Sequence, residues 1–67
     1  MISYKPLWKT LIDREVKKIA LVDQGVISRG TLAKLSKNES VRLDVIDRLC
    51  QHLGCQIQDV VECTIDG

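Results

Sequence analysis

Residues 19–36 read IALVDQGVISRGTLAKLS. Two short apolar-patterned runs are separated by Gly25, Val26 and Ile27. Ser28 is a strong helix N-cap, because its hydroxyl can accept a first-turn N–H. A helix opened by Ser28 runs to about Ser36 and buries Leu32 and Leu35, three places apart. Gly30 lies in its first turn, although glycine costs a helix about 1 kcal/mol relative to alanine. In the preceding run Leu21 and Val22 face inward, and Gly25 ends the helix. Helices this short are marginal alone in water, so both must pack on other elements.

Those elements are readable on either side. Pro6 suits a first helical position, where its missing N–H costs nothing. Leu7, Trp8, Leu11 and Ile12 recur at helical spacing, giving a first helix from about Pro6 to Arg14. SKNES, residues 36–40, is a polar loop. Leu43, Ile46, Leu49, Cys50 and Leu53 mark a fourth helix that Gly54 stops. Ile57, Val60 and Val61 suggest a last short helix. The expected fold is all-α, with four to five short helices in one domain over residues 1–67. The ends, 1–4 and 62–67, are read as flexible or β-prone. MISY and ECTI can pair as a short ribbon, within one chain or between two. If the ribbon lies within one chain, Trp8 and the last helix become the better places for a second copy to bind.

Composition narrows the function. The chain has 67 residues, one Trp, one Tyr and no Phe, so aliphatic side chains must build its core. A domain this small has little room for a catalytic cleft beside its core. No apolar run approaches the ~20 residues of a membrane-spanning helix, and MISYKPLWK lacks the apolar core of a secretory signal. A cytoplasmic protein without membrane contact is expected. The net charge is only +1, but it is polarised. Residues 1–42 carry nine Lys/Arg and four Asp/Glu, and residues 43–67 carry one and five. Such a chain can offer a basic face to phosphate while staying nearly neutral overall.

Cys50, Cys55 and Cys63 are an odd set without a secretory signal, which argues against a disulfide framework. With His52 they match no standard zinc spacing. Cys50 reads as a small core hydrophobe and His52 as a solvent-facing residue. The carboxylate pairs Asp44/Asp47 and Asp13/Glu15 read as solvated helix faces, and no nucleophile–base set is visible. No enzyme activity, cofactor, metal or small-molecule substrate is expected.

Two short helices joined by a brief turn containing Gly make a helix-turn-helix signature, here over about residues 19–36. The outer face of its second helix is then free to enter a DNA major groove. Ser28 caps that helix and leaves its first N–H groups near phosphate. Arg29 suits a bidentate pair with guanine. Gly30 allows close backbone approach. Thr31 can meet a base or a thymine methyl, and Lys34, one turn later on the same side, a guanine edge or phosphate. Lys18, Lys37, Asn38 and Arg42 complete the candidate DNA-binding set, the last three by gripping the backbone and setting register.

The stretch GVISRGTLAKLSKNESVRLDVIDRLCQHLGCQIQDVVE resembles the Cro/cI-like, xenobiotic-response-element type of helix-turn-helix domain. Ile27, Ser28, Thr31, Leu32, Leu35, Leu53, Gly54, Asp59 and Val60 match that family's pattern, and YKPLWKTLIDR resembles the first helix of a compact bacterial subgroup. The likeness spans about residues 4–62. It implies a lambda-repressor-like domain and a small bacterial or phage regulator that binds specific double-stranded DNA. A homodimer is expected, since one short helix reads few base pairs. The alternative is a protein-interaction module on the same fold, of antitoxin or anti-repressor type, favoured by apolar Ile19 and Ala20 on the would-be DNA side.

Several residues depart from the family pattern. Val26 stands where the family has its turn glycine, one place after Gly25. A β-branched residue at positive φ is strained, so either the turn shifts by one or Val26 avoids that conformation. Glu15 replaces a helix-ending glycine, and Arg42 replaces a Ser/Thr cap.

Overall fold

A computed structural model describes residues 1–65 of the chain. Strand β1 (Ile2–Ser3) leads into helices α1 (Lys5–Asp13), α2 (Lys18–Asp23), α3 (Arg29–Ser36) and α4 (Leu43–Leu53). A single 3-10 turn (Ile57–Asp59) and strand β2 (Glu62–Cys63) follow. The expected last helix is thus only this one turn. The strands pair antiparallel within the chain, Ile2 opposite Cys63 and Ser3 opposite Glu62. Of the end regions expected to be flexible or β-prone, 1–4 and 62–65 carry this ribbon, and residues 66 and 67 lie outside the described residues.

All four helices among the described residues stop in the same way. Glu15, Gly25, Asn38 and Gly54 each have positive φ, between 57° and 74°. In each case the next residue's N–H reaches back five places: Val16 to Leu11, Val26 to Leu21, Glu39 to Lys34 and Cys55 to Cys50, at 2.9–3.1 Å. This is the Schellman pattern, which satisfies carbonyls that a helix end leaves open. It resolves the question at the turn. Gly25 takes the left-handed conformation at φ 74°, and Val26 is freed to bury its side chain. At α1 no glycine is available, and Glu15 adopts φ 57° itself.

The core unites the four helices. Leu7 and Leu11 of α1, Leu21 of α2, Leu35 of α3, and Ile46, Leu49 and Leu53 of α4 are buried, with Tyr4, Val26, Ile27 and Val60. Val22, Leu32 and Cys50, expected inside, are half-buried at its edge. Leu43 corrects the expected pattern of α4: as the helix's first residue it is 76% exposed. Cross-links fix the outer layer. Thr10 Oγ1 donates to the Asp59 carbonyl at 2.7 Å, tying α1 to the 3-10 turn.

Candidate nucleic-acid interface

The two central helices are set by their connection. The Leu21 carbonyl accepts from both Val26 and Ile27, at 2.9 and 3.3 Å. Both side chains enter the core, so the turn is pinned by apolar burial as well as by hydrogen bonds. Ser28 then caps α3 as expected: its Oγ accepts from the Thr31 N–H at 3.1 Å. The N–H groups of Arg29 and Gly30 lie ahead of any intrahelical acceptor, at the end where the helix dipole is positive.

Helical geometry distributes the α3 side chains. Leu35 is fully buried, while Thr31 and Leu32 are half-buried. Arg29, Gly30, Ala33, Lys34 and Lys37 are exposed. At about 100° per residue, Gly30 and Ala33 fall near the middle of the exposed face. Arg29 and Lys34 stand on its two flanks, about 140° apart. The outcome is a strip of bare backbone bordered by two cations. Lys34 is four residues after Gly30 and shares its side of the helix, whereas Arg29 works from the opposite edge. Ala33 joins Gly30 on this face by i, i+3 spacing, which an alanine in a helix does not advertise in the sequence.

Thr31 also takes part in the cap. Its hydroxyl accepts from Ser28 Oγ at 3.0 Å, so in the free protein it serves the cap. Gly30 is not demanded by internal packing. A Cβ built there meets only Ser28 Oγ, at 3.9 Å.

The remaining candidates flank this face. Lys37 is the C-cap of α3 and Arg42 the N-cap of α4, both exposed. Arg42 makes no side-chain cap. Its Nε lies 3.3 Å from Asp44 Oδ1, and Arg48 reaches the same carboxylate at 3.3 Å. Desolvation of Asp44 works to raise its pKa, but the charges of Arg42 and Arg48 outweigh it and hold the carboxyl below its usual value. Asn38 is exposed, and its Oδ1 accepts from the Tyr4 N–H at 3.1 Å. Lys18 opens α2 and lays its ammonium 4.1 Å from the centre of the Trp8 ring, a cation–π contact. Ile19 beside it is 43% exposed and Ala20 is half-buried, so α2 offers little polar surface.

Elsewhere, Cys50 and Cys55 are half-buried free thiols, Cys63 is an exposed one, and His52 is solvent-facing. Burial pushes the Cys55 thiol up, with the neighbouring Cys50 and Asp59 adding to it. No helix among the described residues is long and apolar enough to cross a membrane.

A family model described as Cro/C1-type HTH DNA-binding domain matches residues 6–66. A crystal structure of the transcriptional regulator VanUg superimposes with a TM-score of 0.89 at 43% identity. That match covers 97% of this chain and 87% of the other. No curated protein matches significantly.

Proposed function

The chain belongs to the Cro/C1-type helix-turn-helix DNA-binding domain family, and from that membership we propose that it is a small transcriptional regulator reading specific duplex DNA with α3 in the major groove. The observation that carries this reading is the exposed face of α3. Gly30 and Ala33 let the helix backbone come close to the base edges. Arg29 on one flank and Lys34 on the other reach guanine edges or phosphates. Lys18, Lys37 and Arg42 hold the DNA backbone and set register. Ser28 and the open N–H groups behind it meet a phosphate at the positive end of α3. Asn38 contributes chiefly by holding its loop in place.

The mechanism is occupancy: the bound domain blocks or recruits the transcription machinery at its site. The similarity to a transcriptional regulator supports this, and these relatives lend no support to a protein-interaction module. The shared core of the described residues supports reading 1–67 as one domain. Two copies acting together, in the cytoplasm, extend the few base pairs that one helix reads to a specific operator.

Selection of bound fragments from a random duplex pool, followed by a salt titration on the recovered sequence, tests the reading. Recovery of a common sequence is expected, with affinity falling about 0.9 log units per log unit of salt for each phosphate neutralised. Recovery without sequence preference, or binding indifferent to salt, would overturn it.

A further inference from the structure

The end of α4 brings together two groups that the DNA reading does not use. Cys50 and Cys55 stand on either side of the left-handed Gly54, and the Cys55 N–H donates to the Cys50 carbonyl at 3.1 Å. These are the two positions whose side chains meet in a Schellman cap. A direct backbone link of this kind sets the two Cα atoms at the separation a disulfide spans, about 4.4–6.8 Å. The side chains are neighbours as well: the Cys50 thiol acts on Cys55 both as a charge and as a hydrogen-bonding partner. Both thiols are half-buried, packed on the edge of the core and still open to a small reagent.

Two apolar side chains would fill this cap equally well, but two thiols in contact can also react with each other. The surroundings sort their roles. Arg14, just after α1, donates to the Gly54 carbonyl at 3.4 Å. Burial, Cys50 and Asp59 oppose ionisation of Cys55, and the charge of Arg14 only partly offsets them. Cys55 therefore keeps its proton more firmly than a free thiol, which suits it to the second step of an exchange, where attack is within the chain. Among the described residues no group of three or more His, Cys, Asp or Glu side chains could hold a metal ion, so the chemistry open to the pair is that of a dithiol. Cys63 is a single exposed thiol on β2, outside this cap.

We propose that Cys50 and Cys55 form a dithiol modification site, oxidised by a small disulfide of the glutathione class to an intramolecular Cys50–Cys55 bond. In the first step the Cys50 thiolate attacks one sulfur of oxidised glutathione. A mixed disulfide forms on Cys50, and one glutathione thiolate leaves. In the second step the Cys55 thiolate attacks the Cys50 sulfur and expels the other glutathione. The two protein thiols lose two electrons and two protons, and the reagent disulfide becomes two thiols. The new bond closes over Gln51, His52, Leu53 and Gly54 at a cap that the backbone hydrogen bond already holds, so the fold need not rearrange. It fastens α4 covalently to the start of the segment whose 3-10 turn is tied to α1 through Thr10. The groups on the exposed face of α3 take no part, so the inference goes beyond the regulator reading and stands without it.

The full chain carrying Cys63→Ser keeps only this pair of thiols. It is equilibrated with mixtures of reduced and oxidised glutathione under native conditions, quenched with acid and weighed by mass spectrometry. A monomer lighter by two hydrogens is expected. It should keep its helices by circular dichroism and melt higher than the reduced form, since the cross-link restricts the unfolded chain. Dithiothreitol should reverse both changes. Cys55→Ser in the same background is expected to stop at the mixed disulfide, one glutathione on Cys50. Glutathione on both cysteines without closure overturns the proposal. So does a pair that stays reduced while Cys63 of the wild type takes up glutathione, a bond that closes only in urea, or a closed form that loses helix or melts lower than the reduced one.

Discussion

Asn38 accepts the backbone N–H of Tyr4 at 3.1 Å across 34 positions of sequence. The Tyr4 phenol returns the link by donating to the Glu39 carbonyl at 2.7 Å. The loop after α3 is thereby fastened to the segment before α1, and Lys37 and Arg42 project from a held frame. Asn38 also ends α3 at φ 57°, a conformation asparagine tolerates better than most residues.

Asn38→Ala removes the acceptor and places a side chain ill-suited to that φ. A loss of about 1–2 kcal/mol in urea unfolding is expected. Asn38→Gly keeps the backbone geometry and loses only the hydrogen bond, so it sits between alanine and wild type. Equal stability of all three proteins would show that the link carries no weight.

Glu15 is the least suitable of the four helix-ending residues. It is exposed and holds φ 57° without glycine's freedom. Glu15→Gly relieves that strain, partly offset by a more flexible unfolded chain. A gain of about 0.5–1 kcal/mol is expected, raising Tm by about 4–8 °C per kcal/mol. A lower Tm would mean that the glutamate makes a contribution that its φ hides.

Alkaline pH should destabilise the fold. Burial raises the Tyr4 pKa above its ordinary 10.0, and burial, then Cys50 and Asp59, raise that of Cys55 above 9.0. Both groups keep their protons more firmly when folded, so the folded state binds more protons and stability falls as pH rises. The contribution is complete below about pH 9 and is lost progressively above it, through both folded-state values. Tyr4→Phe costs about 0.5–1.5 kcal/mol at neutral pH for the lost hydrogen bond and flattens the decline above pH 10. An unchanged alkaline profile in Tyr4→Phe would remove tyrosine from this explanation.

Much of the architecture was legible because strong local signals agreed. Ser28, Gly25 and Gly54 marked α3 and the helix ends, and the 3–4 spacing of Ile46, Leu49 and Leu53 marked α4. What escaped were choices made by tertiary context. Leu43 fits the apolar pattern, but it is the first turn of α4 and projects past the core. Asn38 has a partner that sequence spacing does not show, the Tyr4 N–H 34 positions away. Ala33's place beside Gly30 on the exposed face of α3 was not marked in the sequence, since an alanine in a helix carries no chemical signal.

Gly30→Ala separates stability from binding. Nothing internal opposes the added methyl, and alanine favours the helix by about 1 kcal/mol. The variant is expected to melt higher and to bind the selected duplex less tightly. Gains in both properties would show that α3 does not approach DNA at this point.

The most direct test is the affinity of wild type, Arg29→Ala and Lys34→Ala for the selected duplex and for single-base variants of it. Circular dichroism confirms that each protein keeps its helices. If α3 is the reading element, Arg29→Ala loses about 1–3 kcal/mol and relaxes preference at one position. Lys34→Ala, if it meets a phosphate, weakens all sequences alike and reduces the salt slope by about one. Affinity and preference unchanged in both folded variants would contradict the assignment of α3 to the major groove.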